Sequence, residues 1–158
     1  IENEKTYNNV VLQCDLSGNV QKVLLNNKNV LFVDKDFIFY TEKNKQKDTE
    51  LYVYDVNKKT HKKILVGAYQ HVFKYNNLYL ADTMGYNFYV NRLTLLNEKA
   101  DVIHDKIYDG NKHVSSLFKG DKYYVYEYNE QWFGYYKIED DGISDFHLCS
   151  KDIKEESN

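Results

Sequence analysis

Between Val30 and Leu65 the chain alternates short apolar runs with polar breaks. It reads V-L-F-V-D-K-D-F-I-F-Y-T-E, then a charged loop, then T-E-L-Y-V-Y-D-V-N-K-K-T-H-K-K-I-L. Runs this short, rich in Val, Ile, Phe, Tyr and Thr and bounded by Asp, Asn and Lys, are strand signals. The pattern predicts strands over 29–33, 36–41, 49–55 and 60–65, and helical periodicity is missing almost everywhere.

The plan repeats. Val30, Val72 and Val114 stand 42 residues apart. Each is followed by a polar turn and an aromatic strand: D-K-D-F-I-F-Y from Asp34, Y-N-N-L-Y-L-A from Tyr75, and K-G-D-K-Y-Y-V-Y from Lys119. Asp36, Asn77 and Asp121 are the turn residues expected to tolerate a left-handed backbone. The second half of the unit recurs as well. D-L-S-G-N-V-Q-K-V-L from Asp15 matches D-V-N-K-K-T-H-K-K-I from Asp55 at a shift of 40, and a looser copy, K-I-E-D-D-G-I-S-D-F-H-L, begins at Lys137.

A period near 42 with four strands per copy points to propeller blades. A lone blade cannot cover both faces of its sheet, which accounts for strands that are apolar or aromatic on both sides. In the strand after Lys119, Tyr123 and Val125 fall on one face and Tyr124, Tyr126 and Tyr128 on the other. The expected fold is all-β, about three and a half four-stranded antiparallel blades, with an antiparallel sandwich or barrel as the alternative. The segments are a lead-in over 1–8, a half blade over 9–25, whole blades over 28–65, 70–105 and 112–149, and a charged tail over 150–158. Closed propellers need about four blades or more. The expectation is therefore a longer natural protein closing a six-bladed ring, or self-association. The start at Ile1 rather than Met points the same way.

V-V-L-Q-C-D-L-S-G-N-V-Q-K-V-L and L-Y-V-Y-D-V-N-K-K-T-H-K-K-I-L resemble the outer hairpin of bacterial repeats in the six-bladed class, which includes TolB-like propellers and the low-density-lipoprotein-receptor type. D-K-D-F-I-F-Y and K-G-D-K-Y-Y-V-Y resemble the inner strands of that class. The resemblance covers residues 9–149 and concerns blade architecture. The Tyr-Trp-Thr-Asp tetrad of the receptor type is missing, so lipoprotein binding is not implied. The Gly-His and Trp-Asp marks of WD repeats and the double glycines of kelch repeats are missing too. What the resemblance implies is a bacterial secreted or cell-surface setting.

Composition adds limits. Of 158 residues 16 are Tyr and none is Pro, and the net charge is −3. No basic field exists to collect nucleic acid, and no stretch reaches the ~18 apolar residues of a membrane span. Cys14 and Cys149 form no metal spacing; two separate thiols are expected, with a bridge between the chain ends as the alternative. The histidines, His61, His71, His104, His113 and His147, make no zinc motif. His71 and His113 precede the equivalent Val72 and Val114 and are candidates for a channel site. Ser115 and Ser116 lie near His113, but strand alternation sends them to opposite faces. Tyr69, Tyr86, Tyr128 and Trp132 are candidates to stack on a sugar or anchor a protein. The binding set is thus Tyr69, His71, Tyr86, His113, Tyr128 and Trp132, with no cofactor and no metal. The expected function is a non-catalytic module binding protein or carbohydrate in an extracytoplasmic bacterial protein. The alternatives are part of a hydrolase-type enzyme with its site over the channel, or a structural domain.

Overall fold

A computed structural model describes residues 10–84, 90–108, 113–119, 122–128, 132–139 and 142–150; the side chains of Met84, Val90, His113, 115–119, Trp132 and Ser150 lie outside that description. The described chain is all-β. Its strands are β1 (Val10–Cys14), β2 (Val20–Asn26), β3 (Asn29–Val33), β4 (Phe37–Lys43), β5 (Thr49–Asp55), β6 (Thr60–Val66), β7 (His71–Tyr75) and β8 (Leu78–Met84). They continue with β9 (Val90–Leu96), β10 (Val102–Ile107), β11 (His113–Lys119), β12 (Lys122–Tyr128), β13 (Trp132–Glu139), β14 (Gly142–Ile143) and β15 (His147–Ser150). No helix among the described residues is long and apolar enough to cross a membrane.

Strand order decides between the architectures. The sheets run β1-β2, β3-β4-β5-β6, β7-β8-β9-β10 and β11-β12-β13-β14, with β15 also pairing β13. Each is an open antiparallel meander of consecutive strands. A barrel would close on itself, and a sandwich would trade strands between sheets by Greek-key connections. Consecutive four-stranded meanders are propeller blades. The last blade departs from the plan: its fourth strand is broken, so β14 holds Ile138 and Glu139 while β15 holds 132–135.

The turns show why the sequence repeats. Where a third strand hands over to a fourth, an Asx turn caps the hairpin. The Asp15 carboxylate accepts from the Ser17 and Asn19 amides, Asp55 from Asn57 and Lys58, and the Asn97 amide oxygen from Lys99 and Asp101. These side chains mimic a backbone turn. Between β7 and β8 the left-handed residue is Asn76 (φ 51), not the expected Asn77. Between β3 and β4 no left-handed residue is needed, because Asp34 accepts from the amides of Asp36 and Phe37. Asp121 lies outside the described residues.

The chain divides into two compact units, Ile1–Val72 and Phe73–Asn158. In the first, Ile38, Tyr40 and Tyr54 pack with Leu25 of the β1–β2 hairpin, backed by Val11, Leu24 and Tyr52. Tyr40 stacks on Tyr52 with centroids 5.4 Å apart, and its hydroxyl lies 2.9 Å from His61 Nδ1. Burial and the Glu42 charge push the Tyr40 phenol up to about 12. Cys14 is exposed and Cys149 half-buried, and both are free thiols.

In the second unit two blades meet face to face. Leu78, Leu80, Leu93 and Leu95 of one sheet pack against Val114, Tyr123, Val125, Tyr136 and Ile138 of the other. Alternation in β12 follows the sequence reading: Tyr123 and Val125 are buried, Tyr124 and Tyr126 half-buried, Tyr128 exposed. Phe39, Val53, Leu80 and Val125 are buried. The Trp132 side chain lies outside the description.

Leu95→Ala removes a fully buried side chain and is expected to cost about 2–5 kcal/mol in urea unfolding. Val23→Ala, on the exposed face of β2, is expected to stay within about 0.5 kcal/mol. The reverse order would place the core on the wrong faces.

Candidate functional site

Two features of the second unit stand apart from ordinary core. The first is a cavity of about 390 Å³ lined by Ile103, His104, Lys106, Tyr136, Ile143 and Phe146, with Gly142 and Ser144 completing the rim. It lies where the edge strand β10 meets β13 and the broken fourth strand. Local backbone irregularity shapes it. The β10–β9 register passes from Val102 to His104 and leaves Ile103 unmatched, a bulge. Bulges re-aim side chains, and here Ile103 and His104 both reach the cavity wall.

The floor is polar and neutralised. Lys106 Nζ is ion-paired to Glu127, whose side chain is only 3% exposed. The same ammonium lies 5.1 Å from the ring centroids of both Tyr108 and Tyr136. Such cation–π contacts gain strength away from water. The hydroxyls of Tyr108 and Tyr136 are hydrogen-bonded to each other. Burial pushes the Tyr136 phenol well above its ordinary value, so it stays protonated.

His104 borders this cluster. Its Nε2 is buried and has no hydrogen-bond partner. Burial, then the nearby Lys106 charge, lowers its pKa below the usual 6.5, with Asp105 opposing. The ring is therefore neutral at pH 7. On the other face of β10, Asp105 accepts from Arg92 Nε at 2.8 Å and Nη2 at 2.6 Å and from the Thr94 hydroxyl at 2.8 Å, which holds its carboxyl below the usual range. That fork fixes the strand carrying His104 and Lys106.

The second feature is an aromatic ladder on the opposite face of β12 and β13. Tyr124 meets Tyr135 at 5.7 Å, Tyr126 meets Tyr135 at 5.9 Å and Phe133 at 6.4 Å, and Tyr135 stacks on His147 at 5.1 Å. Register explains the row: Tyr126 faces Tyr135, Tyr128 faces Phe133, and Tyr135 faces His147. Corresponding positions elsewhere are covered. Phe39 and Leu80, third in β4 and β8, are fully buried, whereas Tyr124, third in β12, is not. Thr41 and Asp82, fifth in their strands, are buried as well, and Tyr126 is not.

The candidates from sequence scatter. Tyr69 is buried at 2% exposure, and His71 is exposed at the start of β7. Tyr128 is 37% exposed at the end of the aromatic face. Tyr86 and the side chains of His113 and Trp132 lie outside the described residues. Sequence reasoning missed the cavity group, His104, Lys106, Glu127 and Tyr136. The one available signal was Glu127, a charge at an inward position of a strand that is otherwise apolar on that face. Among the described residues no group of three or more His, Cys, Asp or Glu is arranged to hold a metal ion.

No protein-family model matches the chain, and no curated protein matches it. Among solved structures it is similar to an acylaminoacyl peptidase from Pyrococcus horikoshii, at 15% identity and a TM-score of 0.47, over 82% of this chain and 26% of that one. The chain thus spans about a quarter of the length of that neighbour.

Two outcomes follow from the polar floor. Lys106→Met removes the ammonium paired to the buried Glu127 and is expected to destabilise toward the low end of about 3–5 kcal/mol, since Lys106 is partly exposed. Adding Glu127→Leu is expected to restore most of that loss; no recovery in the double variant would show that the two side chains are not coupled. For His104, the folded chain binds fewer protons than the unfolded chain between the lowered pKa and 6.5. Its contribution to stability is complete above 6.5 and is lost as pH falls through the folded pKa. Chemical unfolding between about pH 7 and 5 is expected to show a steeper loss for wild type than for His104→Gln. Equal slopes would contradict the assignment.

Proposed function

We propose that this chain is a non-catalytic protein- or glycan-binding module of propeller type within an extracytoplasmic bacterial protein. The observation that carries the reading is the aromatic face of β12 and β13. Tyr124, Tyr126, Phe133 and Tyr135 form a continuous row, and the counterparts of Tyr124 and Tyr126 in the two preceding blades are buried. Tyr presents a broad apolar ring with a polar tip and few rotatable bonds, so it gains contact area at small entropic cost. Rings of this kind stack on the apolar face of a sugar or fill a pocket on a protein. Tyr128 and His147 extend the row at its exposed ends, and further blades of the same repeat, or a second copy, fit the same surface. The resemblance of the outer hairpins to repeats of bacterial secreted and surface proteins supports the extracytoplasmic setting.

The test is a screen of immobilised glycans and protein fragments, followed by titration of any partner against Tyr126→Ala and Phe133→Ala. Each variant is expected to weaken binding about tenfold. A partner held equally well by wild type and both variants would move the binding surface elsewhere. Hydrolysis of a bound ligand would replace the binding reading with the enzymatic one.

A further inference from the structure

We propose that the cavity beside His104 is a binding site for a neutral pyranose ring. The proposal deepens the binding-module reading by naming a ligand class. It concerns a site on the opposite side of β13 from the aromatic face.

Charge excludes the first alternatives. The Lys106 ammonium at the cavity wall is matched by Glu127 behind it, and His104 is uncharged at pH 7, so the lining together with that carboxylate carries no net charge. A carboxylate or phosphate entering the cavity would meet an already neutralised cation next to a buried carboxylate. A cationic ligand would compete with Lys106 for Glu127. The site therefore favours a neutral occupant.

Polarity narrows the class further. Ile103, Ile143, Phe146 and the ring of Tyr136 supply apolar walls, while Lys106, His104 and Ser144 place polar groups at separate points around them. A purely apolar occupant, such as an aromatic side chain, would strip water from those polar groups without replacing its hydrogen bonds, at about 1–3 kcal/mol each. A pyranose matches both demands, because its axial C–H face is apolar and its equatorial hydroxyls radiate outward. The cavity volume of about 390 Å³ falls within the range of small-ligand sites.

Two details fit an occupant. His104 Nε2 is buried without a partner, a state that buried polar atoms rarely keep. Phe146, 43% exposed, leans over Gly134, where an added Cβ would collide with its ring. Gly134 thereby lets the ring stand at the cavity wall as a stacking surface. The Ser144 hydroxyl accepts from the Lys137 amide and donates to the Asp145 carbonyl, which fixes it on the rim with acceptor capacity left for a ligand.

The experiment is an NMR titration of the ¹⁵N-labelled chain with the methyl glycosides of glucose, galactose, mannose and N-acetylglucosamine. Glucuronate and the amides of Phe and Trp are titrated in parallel. Saturable shifts are expected at the amides of Ile103, His104, Lys106, Ile143 and Ser144 with at least one neutral glycoside. Phe146→Ala, at a partly exposed position, is expected to weaken that binding about tenfold. Glu98→Ala, in the exposed turn between β9 and β10 and outside both surfaces, is expected to leave it unchanged. No saturable shift with any glycoside overturns the proposal, as does tighter binding of glucuronate or of an aromatic amide. If the glycosides fail here while a partner still depends on Phe133, the cavity assignment falls and the binding-module reading stands. If the cavity binds a glycoside and Phe133→Ala costs nothing with any partner, the aromatic face is the part that fails.

Discussion

A four-stranded sheet with apolar side chains on both faces must be covered on both faces. The sheet β7–β10 meets that demand. Leu78, Leu80, Leu93 and Leu95 are buried on one side, and Tyr79, Ala81, Thr94 and Leu96, which alternate with them, are buried on the other. The sheet β11–β15 meets it on one side only. Tyr123, Val125, Tyr136 and Ile138 are covered by the Leu-rich sheet, while Tyr124, Tyr126 and Tyr135 remain half-exposed. The difference in side-chain type follows the difference in cover. Tyr tolerates partial exposure because its hydroxyl keeps water contact, whereas Leu at the same positions would expose a wholly apolar patch.

The seam between these two sheets also explains the cavity. Leu and Tyr fill its centre, but toward the edge strand β10 the packing gives way to Lys106, Glu127 and two tyrosines. A buried ion pair contributes little net stability compared with apolar residues of the same volume. It does leave a polar floor at a place where Leu would have closed the gap. The broken fourth strand, with β14 and β15 sharing the edge of β13, opens the remaining side. The cavity is thus a local departure from the repeat, and a functional site is the place where such departures are expected.

Much of the architecture could be read from the chain because the period of 42 and the strict alternation within strands are local properties. The strands β3 and β5 fall at their expected bounds. The cavity could not be read, because its members come from distant segments and none carries a motif. His104 sits in an unremarkable run, V-I-H-D-K, whose bulge at Ile103 depends on pairing with β9. Tyr69 is a stacking candidate by residue type, but it is buried, since ring size alone does not separate packing from contact with a ligand. The turn residue Asn76 was missed by one place for a similar reason: two adjacent asparagines serve equally well by composition, and strand register chooses between them.

Neighbouring tyrosines in β12 and β13 have opposite fates: Tyr123 and Tyr136 are buried, while Tyr124, Tyr126 and Tyr135 are half-exposed. Hydroxyl-radical footprinting of the folded chain, read residue by residue by mass spectrometry, measures this directly. Strong labelling of Tyr128 and intermediate labelling of Tyr124, Tyr126 and Tyr135 are expected, with Tyr123 and Tyr136 protected. A register slip of one residue would exchange the two groups, because successive side chains point to opposite faces. Protection of Tyr124 and Tyr126 together with labelling of Tyr123 and Tyr136 would contradict the sheet register, the aromatic face and the cavity at once.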